Sequence, residues 1–204
     1  LDFDVFFAAF AQSFLDVAKL RRANLREIPS EERFRLMLRL LGHEAGQIKP
    51  EIVERLTVAH MGQLEQAFEV WPETIEVLNW ARQHFRIGMI SNFAYAPTLY
   101  DALDRFGIRS AFETVMVSVE VGWCKPHRLI FERTFEHMRI RPSEALFVGD
   151  QLYLDVYGAL NSGMDVAWIE TGRPEWLLPD VPRPEATYKV RSILELFSLL
   201  EKRQ

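Results

Sequence analysis

The chain has 204 residues, 49% of them hydrophobic and 26% charged, with 24 basic and 29 acidic side chains and a formal net charge of -5. That is room for one substantial domain plus a smaller one, in a composition that excludes disorder and describes a soluble globular protein. The basic residues form no stripe, which argues against a nucleic-acid partner, and no apolar run is long enough to span a bilayer or patterned as a secretory signal. Cys124 is the single cysteine, so there is no disulfide framework and a reducing, cytoplasmic compartment is expected.

Residues 1–70 carry helical periodicity and no strand pattern. Phe3, Phe6, Phe7, Phe10, Phe14 and Val17 fall on one helical face and read as core rather than as a ligand pocket. Ser30 with Glu31 and Glu32 starts a second helix, with Phe34, Met37, Leu38 and Leu41 on its buried side and Gly42 at its stop. A third runs from Pro50, a natural first helical position, to about Phe68. Arg21, Arg22, Arg33, Arg35 and Arg39 read as solvated helix faces. The segment is a small helical bundle.

From Trp71 the pattern changes to helices alternating with strands. Pro72 to His84 is a helix with Ile75, Leu78, Ala81 and Phe85 inward, and Arg86 to Ile90 is a short buried strand that ends in Ser91–Asn92. A helix from about Pro97 to Phe106, a strand around Val115 to Val119, and a helix after Pro126 follow. The apolar run Ala145–Val148 reads as a buried parallel strand, then come a tight turn, a helix up to Gly163, and a strand at Val166–Ile169. Pro174 to Pro184 is a loop, and Ser192 to Lys202 is a closing amphipathic helix. Strands alternating with helices define an α/β fold, a doubly wound parallel sheet with right-handed crossovers.

In such a sheet, ligands bind at the carboxyl ends of the strands. Asp150 stands at that edge after its strand, with Asp155 five residues on. Two carboxylates without a nearby base suit a hard divalent cation, Mg²⁺ above all. Asp150 as a plain helix cap is the competing reading. Ser91–Asn92 and Lys125–Pro126 offer further polar groups at strand ends. Each has an ordinary explanation alone: Ser and Asn favour turns, and a lone Lys is usually solvated.

Taken together, these residues resemble the haloacid dehalogenase-like (HAD) hydrolase superfamily. The apolar strand ending in Ser91–Asn92 is similar to its second motif, and Gly122–Trp123–Cys124–Lys125–Pro126 followed by Ile130–Phe131 to its third. Val148–Gly149–Asp150, then Asp155, Gly158–Ala159 and Gly163–Met164, are similar to the fourth. The resemblance implies a Rossmann-like core over 71–204 with residues 1–70 as a helical cap. It implies phosphoryl transfer to an aspartate and release by water. Ser91 and the Asn92 amide would bind a phosphoryl oxygen, Lys125 would supply fixed positive charge, and Asp150 and Asp155 would hold Mg²⁺ directly and through water. The substrate would be a small phosphorylated metabolite, and the Gly-Asp signature favours phosphate-ester hydrolysis over dehalogenation. Loss of Lys125 should leave the fold intact and cut turnover by about 10²–10³-fold. Cys124 is filler beside it.

The first motif of the family, Asp-x-Asp after an apolar strand, has only Asp2–Phe3–Asp4 as a candidate. No strand precedes it, so Asp2 and Asp4 read as helix-start residues, with a degenerate first motif as the alternative. The family places its first strand between the Ile87 and Phe147 strands, and without it two half-sheets would face each other with unpaired backbone groups. A strand ending in the nucleophilic aspartate is therefore expected upstream of Leu1. The alternatives are a dehalogenase-type hydrolase, or a non-catalytic scaffold of the same fold that has lost the nucleophile.

Overall fold

The computed structural model describes residues 2–172 and 184–201. The chain forms two compact units. The first takes in the chain up to Glu69 together with Asn92–Arg105 and Val117–Cys124; the second comprises Val70–Ser91, Phe106–Met116 and the chain from Lys125 on.

In the first unit, α1 (Phe3–Asn24) begins because the Asp2 carboxylate accepts the Asp4 and Val5 amides at 2.9 and 3.4 Å. It ends where Leu25 turns left-handed. Helix α2 (Ser30–Leu40) opens after Pro29, and Gly42, at φ +90°, lies just past its end. Helix α3 (Pro50–Gln66) has Pro50 at its start as expected. Ala9, Phe34, Met37 and Val53 form the core of these helices, with Phe6, Phe10 and Leu56 packed against it.

Of the face of α1 expected to be buried, Val17 is buried and Phe6 and Phe10 pack against the core, but the other phenylalanines do not. Phe3 is 72% exposed and Phe7 and Phe14 are exposed as well, whereas Ala9, Ser13 and Val17 are buried. Small residues allow α2 to approach closely, so the helix is rotated toward them and only Phe6 and Phe10 keep contact with the core. Arg33 departs from the solvated-face reading. It is buried, with its guanidinium carbon 4.6 and 4.5 Å from the ring centres of Phe10 and Phe34. Helix α5 (Ala96–Arg105) joins this unit through Thr98, whose hydroxyl donates to the Met61 carbonyl of α3. The one-turn helix α6 (Ser118–Val121) ends at Gly122 in the left-handed region.

The second unit alternates helix and strand in an α/β fold. Its elements are α4 (Pro72–His84), β1 (Gly88–Ser91), β2 (Thr114–Val117, whose last residue belongs to the first unit), α7 (Arg128–Met138) and β3 (Leu146–Gly149). These are followed by α8 (Gly158–Asn161), β4 (Asp165–Ile169), β5 (Tyr188–Val190) and α9 (Ile193–Glu201). Strands β3, β4 and β5 are parallel, with Phe147 opposite Val166 and Ala167 opposite Tyr188. Ile130 and Phe131 of α7 are fully buried, as are Val156, Ala159, Val166 and Ala167. Ala167, Val190 and Leu196 form a cluster under α9. Strand β5 carried no recognised sequence pattern, and the Pro174–Pro184 loop lies outside the described residues except for Pro184.

Two expectations change here. Phe85, read as inward, is exposed, and Val77 is the buried residue of α4. The strands form two sheets among the described residues, β1–β2 and β3–β4–β5, the two half-sheets expected of this fold without a strand between the Ile87 and Phe147 strands. Accordingly Ala145–Val148 is not a fully buried strand: Phe147 is buried, but Val148 is 38% exposed. A strand paired on one side only behaves as an edge, whatever its apolar content. Among the described residues no helix is long and apolar enough to cross a membrane.

Candidate active site

Lys125 organises the carboxyl edge of the second unit. It follows buried Cys124 and precedes a cis peptide bond to Pro126, and its side chain is 12% exposed rather than solvated. Its ammonium Nζ donates to the Ile90 carbonyl of β1 at 3.1 Å and to Asp155 Oδ1 at 2.7 Å. It also lies 5.4 Å from the ring centre of Phe147 in β3. One cation thus ties the end of β1, next to Ser91, to the turn that carries Asp150.

Asp155 is 5% exposed at its side chain and engaged on both oxygens. Oδ1 accepts from Lys125, while Oδ2 accepts the amides of Asp150 and Gln151, each at 3.1 Å. The tight turn and α-helix expected here are instead a π-helical turn at Leu152–Tyr157, leading into α8. The Gln151 carbonyl accepts both the Asp155 amide at 2.8 Å and the Val156 amide at 3.2 Å, so the helix is widened at its start. That widening lets Asp155 reach back to the strand end. Gly149 permits the approach, since a Cβ there would lie 2.5 Å from the Cβ of Asp155. Gly158 does the same opposite Phe131 and the Pro126 backbone.

Asp150 makes no capping bond: the residue that precedes the π-helical turn is Gln151, without a side-chain cap, and Asp155 satisfies the free amides. The Asp150 carbonyl accepts from Trp168 Nε1 at 2.9 Å, and its side chain stands exposed. Of the two carboxylates expected to share a cation, Asp150 is open to a ligand, whereas Asp155 spends its lone pairs on Lys125 and two amides. Among the described residues no cluster of three or more His, Cys, Asp or Glu is placed to hold a metal. A donor set of one open and one largely engaged carboxylate does not make a closed zinc or calcium cage. It fits a cation that keeps several waters and takes further oxygens from a substrate, as Mg²⁺ does. Ser91 closes β1 in this unit, and Asn92 is the first residue of a segment belonging to the other unit.

Sequence reasoning missed a buried carboxylate in the first unit, Glu27, ion-paired with Arg21. No motif or periodicity marks Glu27, which sits in the polar break after α1.

An α/β core with a lysine–carboxylate pair at its strand ends defines a class, the hydrolases of HAD type. A sequence model of haloacid dehalogenase-like hydrolases matches residues 5–169, and the chain belongs to that family. It is similar to glyceraldehyde 3-phosphate phosphatase of Methanopyrus kandleri, with 30% identity over 174 residues covering 83% of this chain and 72% of that relative. Pyrimidine 5'-nucleotidase of Escherichia coli is 32% identical over 161 residues, covering 73% of this chain and 68% of the relative. Among solved structures, a HAD phosphatase from Thermococcus onnurineus is 28% identical with a TM-score of 0.57; the match covers 75% of this chain and 65% of that one, just under two thirds. A 2-haloacid dehalogenase from Pseudomonas syringae, 17% identical with a TM-score of 0.68 over 100% of this chain and 83% of that one, shares the fold.

Proposed function

We propose that the protein is a Mg²⁺-dependent phosphatase that hydrolyses the ester of a small phosphorylated metabolite through an aspartyl-phosphate intermediate. The observation that carries this reading is Lys125: its ammonium joins the Ile90 carbonyl beside Ser91 to Asp155, with the Asp150 carboxylate open on the same turn. Phosphoryl transfer passes through dispersed negative charge, so such a site acts mainly by positioning and electrostatics. Lys125 offsets charge on the transferring group. Ser91 and the Asn92 amide orient its oxygens. Asp150 holds the cation directly, and Asp155, engaged by Lys125 and two amides, acts through water and through the shape of the turn. The cation supplies Lewis-acid stabilisation of the phosphoryl oxygens when bound.

On this reading the nucleophilic aspartate arrives on a strand between β1 and β3, each of which has an edge that no described strand covers. The phosphorus–oxygen ester bond breaks as a bond forms from the aspartate oxygen to phosphorus, and the leaving alkoxide takes a proton from solvent. Water then attacks phosphorus, the aspartyl P–O bond breaks, and the carboxylate returns as phosphate leaves. The named activities of the relatives suggest a sugar phosphate or a nucleotide as substrate. Residues 1–70 serve as the cap and 71–204 as the core, with Asn92–Arg105 and Val117–Cys124 clustering with the first unit. The single buried cysteine suits a reducing cytoplasm.

Phosphate release from p-nitrophenyl phosphate, with and without Mg²⁺, tests the chemistry. Turnover should require the cation and vanish in Asp150→Ala. Metal-independent turnover that survives this change overturns the proposal.

A further inference from the structure

Glu27 lies in the connection between α1 and α2, and its side chain is 1% exposed. Buried carboxylates are held by several donors or not held at all. Here Oε2 accepts from Arg21 Nη2 at 3.1 Å, from the Cys124 thiol at 3.2 Å and from the Ser118 hydroxyl, while Oε1 accepts the Ile28 amide at 3.0 Å. The backbone beside it is pinned as well. The Glu27 amide donates to the Gly122 carbonyl at 3.1 Å, the Cys124 amide donates to Leu25 at 2.8 Å, and the Arg26 guanidinium lies 4.0 Å from the ring centre of Trp123. Ser118, itself fully buried, accepts the Phe93 amide at 2.9 Å.

One carboxylate therefore draws together two turns distant in sequence. The first carries Asn92–Phe93 and the second Gly122–Cys124. The next residues along the chain, where it passes into the second unit, are Ser91 and Lys125. Cys124 is no nucleophile in this cluster: burial, with Glu27 adding to it, pushes its thiol up to about 12 despite Arg21.

We propose that Glu27 is a positioning residue for the hydrolytic site, holding the Asn92–Phe93 turn through Ser118 and the turn before Lys125 through Cys124 and Gly122. The inference rests on the phosphatase reading for its catalytic consequence, and on the hydrogen bonds alone for its structural one. Glu27→Ala would strand Arg21 and is a poor probe. Ser118→Ala removes the link to Phe93 while sparing the ion pair, and Glu27→Gln keeps the shape and removes the charge.

Both variants of the full chain are assayed with Mg²⁺ and p-nitrophenyl phosphate, and their amide hydrogen exchange is followed by mass spectrometry. In Ser118→Ala, kcat should fall about tenfold, the scale of one lost hydrogen bond, with KM within about twofold of the parent. Peptides spanning 90–95 should exchange faster while those of α1 to α3 keep the parent rate. Glu27→Gln should speed exchange in 90–95 and 120–126 together. An unchanged kcat, unchanged exchange in 90–95, or acceleration spread over the whole chain each overturns the inference. If the parent, assayed with its nucleophilic aspartate present, releases no phosphate at all, the phosphatase reading fails on its own, and the exchange data still decide whether Glu27 holds the two turns.

Discussion

At the scale of single residues, Asp155 is held from two directions, by the Lys125 ammonium and by two backbone amides. Removing one member of a buried pair leaves the other charge desolvated. Lys125→Met should therefore cost about 3 kcal/mol, the lower end of the range for broken buried pairs, because the amides still solvate Asp155. A urea unfolding midpoint checks this, and the variant should still fold. The fall in turnover of about 10²–10³-fold stands beside it as a separate measurement. Gly149→Ala probes the same contact from the other side. Its methyl would sit 2.5 Å from the Cβ of Asp155, whose position is fixed by helix and lysine alike. Relief by backbone shift should cost about 1–3 kcal/mol, read as a lowered melting temperature.

At the scale of elements, the boundaries of α2, α3 and α4 follow from local chemistry, with Pro29, Pro50 and Pro72 at their starts. Helix α1 shows the same for Asp2, which caps it with bonds to the Asp4 and Val5 amides. Asp2→Ala should destabilise the protein by about 1 kcal/mol, with Asp2→Asn close to the parent, in a thermal melt followed by circular dichroism. If Asp2→Ala melts with the parent, the cap contributes nothing to global stability. What local pattern did not reveal is rotation. The apolar stripe of α1 could face either way by periodicity, and packing against Phe34 and Met37 of α2 selected Ala9 over Phe3 and Phe7. The π-helical turn at Leu152–Tyr157 belongs with this, because an Asp five residues after another looks the same whether the turn between is α or π.

At the scale of the whole molecule, pH enters through His60, whose ring meets Phe10 and Phe34 edge-on at 5.4 and 5.6 Å. Burial first, and the Arg33 charge second, lower its pKa from the usual 6.5. The folded state thus binds its proton less readily than the unfolded chain. The stability tied to this neutral imidazole is complete above the unfolded value and is lost as pH falls through it toward the lowered folded value. Melting temperature should drop from pH 7.5 to pH 5.5 more steeply in the parent than in His60→Gln, and equal slopes would show that His60 contributes nothing. Sequence by itself determined the alternation of helix and strand from Trp71 on, the family, and the residue types at the strand ends, because these are written in local periodicity and in short motifs. It did not determine which carboxylate stays open to a cation, that Lys125 is half-buried between β1 and Asp155, or that Glu27 gathers two turns. Those depend on side chains remote in the chain competing for the same few donors and acceptors, and only the folded packing settles such a competition.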